Sequence, residues 1–89
     1  MTYLDVAADL DEVAAPLDAS GEALYELGMM YAAGRTVQLD LVLAHKWFNL
    51  AAMRGNPDAS RRRREIAGEM SAAEIAAAQR AARDWLTTH

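Results

Sequence analysis

The chain has 89 residues, 13 acidic against nine Lys and Arg, a formal charge of −4 and no cysteine. That length allows one domain at most and buries only about 60–65% of the unfolded surface, so the core must be modest. The missing cysteines exclude a disulfide framework and thiolate metal sites, and the net negative charge makes a poor general binder of nucleic acid. No apolar run approaches the roughly 20 residues that span a bilayer. The N-terminus is acidic from Asp5 onward and has neither the basic start nor the apolar block of a secretory signal. A soluble, cytoplasmic chain is the expectation. Charge is divided unevenly: residues 1–34 hold seven acids and no Lys or Arg, whereas residues 35–89 hold all nine basic residues and six acids. This asymmetry favours end-to-end contact, within one chain or between copies.

Strand signals are missing from the sequence, and helical periodicity starts at once. Tyr3, Val6, Leu10, Val13 and Leu17 recur at spacings of three and four, which makes one helical stripe. Pro16 should close this first helix, because the residue before proline avoids helical backbone. Such a stripe packs on the next helix or pairs with a second chain as a coiled-coil seam. A second helix starts near Ser20, with Leu24, Leu27, Met30 and Tyr31 on one face and Gly28 among them; Gly34 supplies a left-handed stop. Asp40 can cap the third helix. There Leu41, Leu43, Ala44, Trp47, Phe48, Leu50, Ala51 and Ala52 wrap most of the circumference, so it must be covered on two or more sides. His45, Lys46 and Asn49 form its narrow polar stripe, expected to be the solvated edge.

Gly55, Asn56 and Pro57 then read as C-terminal cap, N-cap and first helical residue, joining two helices almost without a loop. The fourth helix ends near Gly68. Ser71 and Glu74 form a capping box, with Met70 and Ile75 as its hydrophobic staple. The last helix buries Ile75, Ala78, Ala82 and Trp85. The expected fold class is all-α, about five antiparallel helices with short connections.

Repetition is faint: Ala44 to Trp47 and Ala82 to Trp85 share Ala-x-x-Trp, and Ala23 and Ala59, 36 positions apart, start successive helices, which suits helical hairpins stacked in series. The series Ala23-x-x-x-Leu27-Gly28-x-x-Tyr31-x-x-Gly34, then Val37, Asp40, Ala44-x-x-Trp47, Ala51-Ala52, Gly55-Asn56 and Ala59, resembles a Sel-one-like repeat, a relative of the tetratricopeptide repeats. The likeness covers residues 20 to 59. It departs at Thr36, where the family has a second glycine, and at Arg63-Arg64, where Leu-Gly would stand. It implies a short α-solenoid of stacked hairpins: residues 1–17 a capping helix, 20–55 the repeat, 56–88 a degenerate capping repeat. It also implies a non-catalytic adaptor or regulatory module that holds another protein or peptide, without cofactor. In the related tetratricopeptide geometry the first helix of each hairpin lines the concave face. Glu22, Tyr25, Met29 and Ala33 would then face inward, and Asp58, Arg61 and Glu65 would continue that face, with Arg62 beside them. The alternative is a homo-oligomeric structural or regulatory unit, assembled through the acidic N-terminal and basic central surfaces.

Other residues read more plainly. His45 is expected to be a solvated surface histidine and not a catalytic base. Ser20 and Ser71 serve as caps, not nucleophiles. Two histidines so placed give no metal set, and the scattered glycines make no phosphate loop. Arg61 to Arg64 span nearly a full circumference. One or two of them should lay their stems over a neighbouring helix and leave the rest solvated, with no interleaved aromatic for base stacking.

Overall fold

The computed structural model describes residues 15–88, which form four helices: α1 (Gly21–Ala33), α2 (Leu41–Met53), α3 (Ala59–Ala67) and α4 (Ala72–Thr88). Among the described residues there is no strand. The expected first helix, with Tyr3, Val6, Leu10 and Val13, lies outside them. Its last expected member, Leu17, is not helical. It occupies a turn in which the Ala19 amide donates to the Pro16 carbonyl at 2.9 Å, and it is 45% exposed. Ala15 and Ala19 enter the core in its place.

Caps set the helix ends. Ser20 Oγ accepts from the Ala23 amide at 3.0 Å, and Asp40 Oδ1 from the Leu43 amide at 3.0 Å. Each satisfies a donor that has no partner inside its helix. At α4 the capping box closes in both directions: Ser71 N–H to Glu74 Oε1 at 2.8 Å, and Glu74 N–H to Ser71 Oγ at 3.1 Å. Gly34 ends α1 at φ 69°, its amide donating to the Met30 carbonyl. Thr36 follows at φ 61°, the one described residue other than glycine with positive φ. A β-branched residue is strained there. The loop thus keeps the conformation that a glycine at this position would adopt. It is tied down by the Asp40 amide, which donates to the Tyr31 carbonyl at 3.1 Å.

The joint at Gly55 differs from expectation by two residues. Gly55 is left-handed at φ 88°, and Asn56 Oδ1 accepts from the Asp58 amide at 3.0 Å. Asn56 therefore caps as its type predicts. Pro57 and Asp58 make a turn, however, and the regular α-helix begins at Ala59 rather than at Pro57.

Packing centres on α2, which lies against α1, α3 and α4. The largest fully buried side chains are Trp47, Phe48 and Leu50 on α2 with Leu24 and Tyr31 on α1. Each contributes on the order of 1.5–3 kcal/mol or more by leaving water, so this pair of helices dominates the core. Two glycines allow α1 and α2 to approach. A Cβ at Gly28 would stand 2.5 Å from ring carbons of Phe48, and one at Gly21 would stand 2.9 Å from the Arg54 carbonyl oxygen. Since Gly21 meets Arg54 and Gly34 meets Leu39, the two helices run antiparallel. On the other side Trp85 of α4 meets Trp47 edge to face, centroids 6.0 Å apart. The expected stripe of α4 is turned inward, Ala78, Ala82 and Trp85 being buried and Ile75 half-buried.

The polar stripe of α2 is corrected by the structure. His45 and Lys46 are not a solvated edge; they are 4% and 8% exposed. The Lys46 ammonium lies 4.3 Å over the Trp47 ring, a cation–π contact. Asn49 is half-buried and accepts from Arg63 Nη1 at 2.6 Å. α3 meets this stripe at Asn49 through Arg63, so polar residue type did not mark a solvent-facing side.

Candidate interaction surface

The eight residues expected on a concave face fall on α1 and α3 and on the turn before α3. Glu22 and Ala33 are exposed on α1, while Tyr25 and Met29 are half-buried and pack against the core. The latter two are four residues apart and so are neighbours on the helix surface. Tyr25 leans on Phe48, ring centroids 5.5 Å apart and tilted by 48°. It is thus partly a core residue, with the rest of its surface turned outward.

On the other side stand Asp58, Arg61, Arg62 and Glu65. Arg61 pairs with Asp58 at 3.3 Å and with Glu65 at 4.0 Å, and Arg62 Nη1 donates to Glu65 at 3.4 Å. These pairs are well exposed, so solvent screening leaves them little weight in stability. Their effect is to orient the guanidinium groups along the helix.

The two sides meet at one bond. Arg62 Nε donates to the Tyr25 hydroxyl at 3.3 Å, joining residues 37 positions apart. This hydrogen bond, with Glu65 adding to it, raises Arg62 above its ordinary range and leaves it a permanent cation. The arginine run divides as its helical spacing demands. Arg62 turns onto α1 and Arg63 onto α2, whereas Arg61 and Arg64 stay exposed. Glu22, Met29 and Ala33 lie along α1 at helical spacing from Tyr25.

Arg54 adds a tie that its sequence position does not announce. Its Nη1 donates to the Ala19 carbonyl at 2.9 Å while its guanidinium lies 5.7 Å from the Trp85 ring centroid. The partners come from before α1 and from the last helix, so only the fold brings them together. Among the described residues no three His, Asp or Glu side chains gather where they could hold a metal ion, and no helix is long and apolar enough to cross a membrane.

Compared with protein-family models, with curated proteins and with solved structures, the chain matches none.

Proposed function

We propose that this chain is a non-catalytic helical-repeat module of the Sel-one-like kind, working in the cytoplasm, whose α1–α3 surface holds another protein or a peptide. The observation that carries the reading is the Arg62–Tyr25 bond, which ties α3 to α1 across 37 positions of the chain. Tyr25 and Met29 give that surface an apolar centre, and the exposed Glu22, Arg61 and Glu65 give it a charged rim. This is the usual division of an interface: tyrosine serves as a frequent anchor, methionine adapts, and rim charges set specificity. The left-handed Thr36 gives further support, since the loop holds the conformation that the repeat motif assigns to glycine.

The test is affinity capture with quantitative mass spectrometry, comparing the natural chain with a Glu22→Lys, Arg61→Glu double variant. Both positions are exposed, so the circular dichroism spectrum and melt should change little. A partner enriched by the natural chain should be lost from the charge-reversed variant. Equal enrichment by both proteins, with both folded, would remove this surface as the binding face.

A further inference from the structure

The seam between α2 and α3 contains a buried imidazole that the interaction surface does not use. His45 is 4% exposed, and its Nδ1 has no hydrogen-bond partner among the described residues. Asn49 lies one turn further along α2 on the same face. Its side-chain oxygen receives Arg63 of α3 at 2.6 Å, so a permanent cation is anchored one turn from the imidazole. A neutral imidazole tolerates that position. An imidazolium there would be desolvated and would face a like charge.

Burial is the larger influence on His45 and the Arg63 charge the second, both holding it below the ordinary value of 6.5; a backbone hydrogen bond acts weakly the other way. Of the acids on and beside α3, Glu65 and Asp58 are engaged by Arg62 and Arg61, and Glu69 follows the last turn. The described acids of the other helices are Glu22 and Glu26 on α1 and Glu74 and Asp84 on α4.

We propose that His45 is an acid-sensitive latch on the α2–α3 seam: uptake of a solvent proton by the imidazole drives α3 off α2, and with it Arg62 off Tyr25. The device therefore acts on one half of the candidate interaction surface. The sign follows from linkage. Below about pH 6.5 the unfolded chain binds a proton at this histidine that the folded chain resists. Stability is therefore full above that pH and is lost as pH falls toward the lower folded value. Carboxylates remain ionised down to about pH 5, so the window belongs to histidine.

The chain has two histidines, and a His89→Gln background removes the other. In that background the thermal midpoint should fall by several degrees between about pH 7.5 and pH 5.5, and adding His45→Gln should abolish the fall. If His45→Gln does not fold, the carbon-bound imidazole protons of the His89→Gln protein are followed by NMR. Their titration midpoint should lie below 6.5 and should rise in an Arg63→Met variant. Amide exchange at about pH 5.5, corrected for intrinsic rates, should show α3 losing protection before α1. A pH-independent midpoint, an imidazole titrating at or above 6.5, or a fall that persists in His45→Gln overturns the proposal. Equal loss of protection in α1 and α3 overturns the latch as well, because the effect would then be global. None of these measurements needs the binding partner, so failure here is distinct from failure of the proposed function.

Discussion

Gly28→Ala tests a close approach between α1 and α2. An ideal Cβ at this position stands 2.5 Å from Phe48 Cδ1 and Cε1 and 3.0 Å from Cγ. Carbon atoms prefer about 3.5–4.0 Å, so a gap of roughly 1 Å must open. The obstacle cannot swing away easily, because Phe48 is fully buried and its ring is flanked by Tyr25. Either α1 lifts from α2 or the ring leaves its rotamer. Overpacking of this kind costs about 1–3 kcal/mol. Alanine returns up to about 1 kcal/mol through its better helix propensity. The net expectation is a loss of about 0.5–2 kcal/mol, and Gly28→Val should lose more. Each kcal/mol moves the midpoint of a domain this size by about 4–8 °C. Gly68→Ala is the control. Its φ is −64° and its added Cβ meets only the Glu65 carbonyl, at 3.4 Å, so it should be neutral or slightly stabilising. Urea and thermal unfolding followed by circular dichroism give both values. A midpoint for Gly28→Ala equal to or above that of the natural chain would refute the tight α1–α2 contact.

Thr36→Gly should raise stability by about 0.5–1 kcal/mol, because relief of a left-handed conformation exceeds the extra chain entropy of glycine; a lowered midpoint would show that Thr36 is unstrained. Trp47→Ala should cost about 3–5 kcal/mol and Trp85→Ala less, since Trp47 lies in the helix covered on three sides. The double variant should lose less than the two single losses together, by about 0.5–1.5 kcal/mol, because the rings touch; strict additivity in urea unfolding would deny that contact. If the acidic first third and the basic remainder attract between chains, the mass seen by light scattering should fall as salt rises to about 0.5 M. A constant monomer mass would remove the homo-oligomeric alternative.

What the sequence made legible was local. Ser20, Asp40 and the Ser71–Glu74 box could be read because a cap needs a particular side chain at a fixed offset from an apolar stripe. Gly28 could be read as a close approach, although not that Phe48 was its partner. The buried state of His45 and Lys46 could not be read, because burial depends on how the helices pack and not on local spacing. Leu17 was misplaced for a related reason: spacing alone extended a stripe past Pro16, where the backbone already turns. Of the candidate surface, the sequence placed Tyr25 and Met29 side by side on one helix. It did not reveal that Arg62 binds Tyr25, because nothing local links positions 37 apart.

The central position of α2 bears on how the chain can be divided. A cut between Gly55 and Asn56 falls in the turn between α2 and α3, yet α2 has neighbours on both sides of that cut. The N-terminal piece would carry Trp47 without Trp85, and Asn49 without Arg63. The C-terminal piece would hold two helices whose seats are both on the missing partner. The smallest cooperative unit is therefore α1 to α4 together, not one hairpin. The two pieces should fold only when mixed, as complementing fragments.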